Sequence, residues 1–271
     1  MEKLSKYLNP RNLIILTYLK FKYGFKKAKL TKDIVKGWGF TVDKGEYTHF
    51  YCLDGLDPVD IYITPGTYNW VCPNKVTKVT AECWGGGGGS AGGGGGYARK
   101  YNIPVTPGNS YTVVVGAGGV MDGGSSYFIN TSTVVAYGGK THYNGGDGGG
   151  GFGDVVYNGG RPNNGGGGGA GTTQNGADST DSNGGAGGAL GGGGGGGYAT
   201  AIGGAGGGSY IGYGGQNGNN GAPLSGGNGG LFGGGGGGFG STSGASGAVY
   251  ISYTIKNTKR GQILFEMLKN I

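Results

Sequence analysis

Glycine supplies 75 of the 271 residues, and 68 of those glycines fall among the 163 positions from 85 to 247. Such a block buries no ordinary side-chain core, because glycine brings no apolar surface and loses the most backbone entropy on folding. Charged residues make up only 13 % and the net charge is +7, so neither an ordinary enzyme of this length nor a highly charged disordered linker fits.

The basicity is confined to the flanks. Residues 1–50 carry 11 basic and 4 acidic side chains, residues 248–271 carry 4 and 1, and the glycine block carries 4 and 5. Asn9-Pro10 reads as an N-cap followed by proline at the first helical position, predicting a helix from about residue 10 to Tyr23, stopped by Gly24. A second short helix is predicted from Thr31 to Lys36. Residues 1–45 thus form a basic helical arm, and its apolar and cationic side chains Leu13, Leu16, Leu19, Lys20, Phe21, Lys26 and Lys27 are candidates for docking to a larger assembly. Leu13–Leu19 is too short to span a bilayer, and it lacks the small-residue cleavage site of a signal peptide.

From Tyr47 the period changes to two. Val59–Ile63 and Thr67–Val71 flank the turn at Pro65-Gly66, and Val76–Trp84 alternates β-branched and polar residues up to the first glycine run. Tyr101–Val105, Tyr111–Val115 and Thr133–Tyr137 interrupt the block as further strands, with Pro107-Gly108 turning between the first two. Ala248–Ile255 closes the chain as a strand, and a short amphipathic helix follows within 258–271. The strands before and after the block are expected to pair. The divisions are 1–45, a strand region 46–84, the glycine block 85–247 and the closing 248–271.

Collagen is excluded, since strict Gly-X-Y is absent and the block holds only Pro104, Pro107, Pro162 and Pro223. The ordered alternative is a bundle of threefold polyglycine helices whose chains, lacking Cβ atoms, lie close enough to hydrogen-bond sideways. The fold class is therefore mainly β: a small antiparallel β-sandwich plus a polyglycine II helix bundle with long loops, flanked by short N- and C-terminal α-helices. Cys52, Cys72 and Cys83 are an odd set without a CxxC pair and read as reduced, half-buried thiols on strands.

No catalytic pattern survives inspection. Gly88–Gly92 matches GxSxG without its strand–turn–helix setting, and Gly138-Gly139-Lys140-Thr141 lacks the first P-loop glycine, which falls on Val134. His49 and His142 are too isolated for a metal site, and no cofactor is expected. There is no RNP motif or RGG repeat, so the block is not expected to bind nucleic acid. No paired carboxylates stand out, and Asp147, Asp154, Asp178 and Asp181 are the residues that could supply such a pair in a third reading, a depolymerase. The richest binding chemistry lies in the segments His142–Asn144, Tyr157-Asn158 with Arg161–Asn164, Thr172–Asn175, and Ser209–Tyr213 with Gln216-Asn217, and the candidates are Tyr143, Asn144, Tyr157, Arg161, Asn163, Tyr210, Tyr213 and Gln216. Tyrosine offers a flat face and a hydroxyl, while Asn and Gln offer paired donors and acceptors.

Ile63–Tyr68, Val76–Trp84 running into Gly85–Gly96, Val105–Gly108, Tyr111–Gly119 and the closing Gly244–Tyr253, in that order, resemble the glycine-rich domain of phage and other virion fibre proteins. The block is also similar to the distal tail-fibre adhesins of T-even phages. That resemblance implies a sandwich of polyglycine helices whose loops bind a bacterial surface receptor, a glycan or an outer-membrane protein, without catalysis. It further implies a virion-surface location, attachment to other virion or fibre proteins through the arm, and a trimer or a cap on a trimeric fibre. A purely structural coat protein is the alternative expectation.

Overall fold

The computed structural model describes residues 28–33, 37–52, 58–141, 146–199, 201–207, 214–221, 228–238 and 242–254. The helices expected within 10–23 and 258–271 lie outside them. Thirteen strands are present among the described residues: β1 (Ala28–Asp33), β2 (Gly37–Asp43), β3 (Thr48–Cys52), β4 (Val59–Tyr62), β5 (Gly66–Val71), β6 (Lys78–Trp84), β7 (Tyr97–Pro104), β8 (Ser110–Val115), β9 (Ser126–Phe128), β10 (Val134–Ala136), β11 (Gly151–Phe152), β12 (Val155–Tyr157) and β13 (Ala248–Tyr253). All pairings are antiparallel. The first sheet runs β1-β2-β3-β4-β13-β6-β7-β12 and the second β11-β10-β9-β8-β5.

The closing strand β13 lies between β4 and β6, pairing Ile251 with both Asp60 and Ala81, so the two ends of the glycine block are tied side by side. Pro107-Gly108 makes the expected turn: Asn109 N–H donates to Thr106 O at 3.1 Å, and Gly108 has φ +82°, as the third position of a type II turn requires. The helix expected over Thr31–Lys36 is corrected by the structure. Ala28–Asp33 is a strand with six cross-strand partners in β2, and this pairing with the next strand overrides the weak helical signal. Strand β7 begins four residues earlier than the alternation suggests, because Tyr97 and Ala98 pair in register with Trp84 and Cys83.

The sheets enclose one apolar layer. Tyr62, Val79, Ala81, Cys83, Val249 and Ile251 of the first sheet meet Trp70, Val113, Val115, Phe128 and Val134 of the second. Asp60 is buried among them, and its Oδ2 accepts from Trp70 Nε1 at 2.8 Å and from the Tyr253 hydroxyl at 3.1 Å, as a buried carboxylate requires. Cys72 and Cys83 are buried free thiols; Cys83 lies on β6, and Cys72 directly follows β5.

The opposite face of the first sheet carries Val59, Ile61, Trp84, Tyr97, Ala248 and Tyr250, which pack against Ala170 and Phe232 of the glycine block. Trp84, the last residue before the glycine runs, is the hub. Its ring centroid lies 5.0 Å from Tyr97, 5.0 Å from Tyr250 and 5.4 Å from Phe232. The molecule thus has three layers: second sheet, first sheet and glycine bundle.

Within the bundle the hydrogen bonds repeat every three residues. Gly92 and Gly95 donate to Gly236 and Gly233, Gly93 and Gly96 donate to Lys140 and Tyr137, and Gly94 donates to Gly160. The carbonyls of the same run accept from Gly167 and Ala170, from Gly88 and Gly85, and from Gly149. Residues i and i+3 therefore address one neighbour, as a helix of three residues per turn dictates, and this rod has six neighbours. The run 193–197 behaves alike: Gly193 and Gly196 donate to Phe232 and Gly235, and Gly194 and Gly197 donate to Gln216 and Asn219. A Cβ added at Gly94 would fall on the Gly168 carbonyl, inside the distance that real Cβ atoms keep from backbone.

Two outcomes are expected. Gly94→Ala forces backbone apart and destabilises by about 3 kcal/mol or more, the upper end of overpacking. Gly150→Ala, whose Cβ meets only Asn158 Oδ1 at 3.3 Å, shifts stability by less than about 1 kcal/mol; chemical denaturation of both variants checks the contrast. Burial, then the Glu82 charge, pushes the Cys83 thiol up; burial, then the Asp60 charge, pushes the Tyr62 hydroxyl up. The fold favours both neutral forms, a stability that is whole below the unfolded thiol's pKa and is lost as pH rises through the folded values. The thermal midpoint should fall above about pH 9, and Tyr62→Phe should flatten that fall; a midpoint independent of alkali in the parent protein would count against it.

Candidate functional site

At the edge of the bundle some N–H groups of a rod meet no carbonyl on the adjacent rod and need another acceptor. Side chains supply it. Asn158 N–H donates to Asn175 Oδ1 at 2.9 Å and Arg161 N–H donates to Asp178 Oδ1 at 2.7 Å, and three residues on, the side chains themselves meet, Asn164 Nδ2 donating to Asp181 Oδ1 at 3.4 Å. Donors and acceptors both step by three residues, the repeat of the polyglycine helix, so segments 158–164 and 175–181 lie side by side with their polar residues aligned. The device recurs where Gly203 N–H donates to Asn220 Oδ1 at 3.0 Å, Gly206 N–H to Asn217 Oδ1 at 2.8 Å and Ser243 N–H to Asn228 Oδ1 at 3.0 Å.

This ladder borders a groove of about 420 Å³ lined by Asp147, Asn158, Arg161, Asn175 and Asp178 over Gly148, Gly150, Gly159 and Gly176. The Cβ positions of Gly148, Gly159 and Gly176 point into neighbouring rods, which leaves the groove floor as bare backbone. Arg161 Nε lies 3.3 Å from Asp147 Oδ1, with both side chains largely exposed at 73 % and 65 %. An exposed pair of this kind contributes under about 1 kcal/mol, so its value is positional. Asp178 and Asn175 each use one oxygen on the ladder, which fixes the side chain while leaving the second carboxylate oxygen and the amide NH₂ without a partner among the described residues. Two carboxylates and one guanidinium give the groove a formal charge of −1.

The sequence-derived candidates part company here. Arg161 lines the groove. Tyr157 does not: it sits on β12, half-buried, with its ring stacked on Tyr97 at 6.1 Å and 25°. Its expected place in a binding loop is corrected, because Tyr97 and the apolar layer beneath draw the ring inward. Asn163 is exposed, its N–H donating to Ser179 Oγ, and Gln216 is exposed on a segment bonded to Gly194 and Leu231. Neither lines this groove. Tyr143, Asn144, Tyr210 and Tyr213 lie outside the described residues, as do Leu13, Leu16, Leu19, Lys20, Phe21, Lys26 and Lys27 of the arm. Asn158 and Asn175 lie in the polar segments singled out from the sequence, while Asp147 and Asp178 lie outside them. The signal for Asn158, Asn175 and Asp178 is the triplet spacing 158/161/164 and 175/178/181.

A second groove, of about 320 Å³, lies at the far end of the sandwich and includes Lys75, Thr77, Lys78, Asn102, Ser252 and Thr254. Asp154 stands apart on the β11–β12 turn, where the Tyr101 N–H, at 2.8 Å, and Lys100 hold its carboxyl below the usual carboxylate range. Among the described residues no three of His, Cys, Asp and Glu gather as metal ligands, and no helix is long and apolar enough to cross a membrane.

Residues 63–254 match the family model of a glycine-rich domain, and the chain belongs to that family. No curated protein matches the chain.

The ladder has a measurable signature. Asp178→Ala should remove the acceptor for Arg161 N–H and speed its amide hydrogen exchange, while global stability falls by only about 0.5–1.5 kcal/mol. Asp178→Asn, which keeps Oδ1, should preserve the protection. Equal exchange in the parent and the alanine variant would show that the side chain does not hold the rod.

Proposed function

We propose that this glycine-rich domain protein is a virion surface protein, a tail-fibre or tip adhesin that binds a host-cell surface receptor without catalysis. The observation that carries the reading is the division of labour in the bundle. Backbone groups hold the interior rods and Asn and Asp oxygens complete the lattice at the rim, where side chains are released from core packing. A rigid scaffold with polar side chains fixed at its edge suits recognition, since little ordering entropy remains to be lost on binding. The order of strands and glycine runs, which resembles virion fibre domains, supplies the class. In this reading the arm within residues 1–45, with Leu13, Leu16, Leu19, Lys20, Phe21, Lys26 and Lys27, attaches the protein to other virion or fibre proteins, and the assembly is a trimer or a cap on a trimeric fibre. The receptor is a host glycan or an outer-membrane protein.

A structural coat protein is the second reading, and a specific observation favours it: Asn175, Asp178, Asn217, Asn220 and Asn228 serve the lattice through their side-chain oxygens. Fluorescently labelled full-length protein should bind intact host cells saturably, in competition with unlabelled protein, and on a subset of strains. Absence of binding to every strain that the parent virion adsorbs to would favour the coat protein.

A further inference from the structure

We infer that the lateral groove between segments 147–150, 158–161 and 175–178 is a saccharide-binding site for neutral sugars. It rests on the adhesin reading only for its biological purpose; the chemistry stands on the groove itself. At about 420 Å³ the groove falls within the range of small-molecule sites, with room for one or two sugar rings. Its walls alternate donors and acceptors in the manner that vicinal hydroxyls demand, since each hydroxyl both donates and accepts. Asp178 has one oxygen fixed by Arg161 N–H at 2.7 Å, and Asn175 has its oxygen fixed by Asn158 N–H at 2.9 Å. The remaining carboxylate oxygen and amide NH₂ are thereby presented in set directions, which reduces the entropy lost on binding. Arg161 is steadied by Asp147 through Nε at 3.3 Å, and this contact leaves its terminal nitrogens as donors.

Charge selects among sugars. With Asp147 and Asp178 against Arg161 alone, the groove disfavours phosphate, sulfate and uronic or sialic carboxylates, whose charge would meet two carboxylates at close range. The bare glycine floor favours a flat ligand lying against backbone, because no side chain rises from Gly148, Gly159 or Gly176 to obstruct it.

The test uses full-length protein and saturation-transfer NMR or calorimetry with lactose, maltose, cellobiose and mannobiose, against sialyllactose and digalacturonic acid. At least one neutral disaccharide should bind saturably, and the acidic sugars more weakly. Asp178→Asn keeps the ladder bond and Arg161→Gln leaves the backbone untouched; each should weaken binding about tenfold, the scale of one hydrogen bond to a charged group. Gln216→Ala, elsewhere on the rim, should have no effect. No saturable binding, preference for the acidic sugars, or binding unchanged in both groove variants would overturn the proposal. Cell adsorption measured on the same variants separates the two ideas. Adsorption unaffected by Asp178→Asn and Arg161→Gln, with no sugar bound, overturns the groove and spares the adhesin; sugar binding without adsorption to any strain does the reverse.

Discussion

Everything in this protein depends on how closely two backbones approach when neither carries a Cβ. In the run 92–96 each N–H and each carbonyl meets a neighbouring rod, and six rods surround it. No apolar side chain contributes to that contact. The interior is held by satisfied backbone hydrogen bonds, each worth about 0.5–1.5 kcal/mol net, and by close packing of the chain itself. A methyl group at such a position has nowhere to go, since the atoms facing it are carbonyls of rods fixed in turn by their own neighbours.

That lattice has two boundaries, and the sequence handles them differently. Toward the sandwich the boundary is apolar: Trp84, Tyr97 and Tyr250 meet Phe232 and Ala170, and hydrophobic burial takes over from backbone bonding. At the rim the boundary is polar, and Asn and Asp oxygens of one rod accept N–H groups of the next in place of its carbonyls. Both β6 and β13 cross from one regime to the other, and their pairing keeps the bundle's first and last runs adjacent.

The rim therefore serves the lattice and shapes the surface at once. Asp178 uses one oxygen to complete the lattice and offers the other to the groove. Its chemistry is directed by a bond to backbone, without the packing that orients a side chain in an ordinary site. Substitution at the rim changes what the surface presents while the rods beneath stay in place. Substitution at Gly94 or Gly168 disrupts the lattice itself.

Runs of β-branched and aromatic residues at a period of two revealed β4, β5, β6, β8 and β13, the period being plain in residues such as Val79, Ala81 and Cys83. Strands β9, β11 and β12, of two or three residues, carry no readable period, and β1 reads as helix until its partner β2 is known. Arg161 lines the lateral groove, in a segment whose polar composition was legible, whereas the strand position of Tyr157 was not, because its stacking partner Tyr97 is distant in sequence. The sequence by itself determined that the block would be a backbone-bonded bundle closed by a strand, since glycine density and side-chain period are local properties. Only the tertiary structure decided which rods are neighbours, and so which Asn or Asp meets which N–H. A glycine run specifies a threefold helix but carries no side chain to distinguish one neighbour from another.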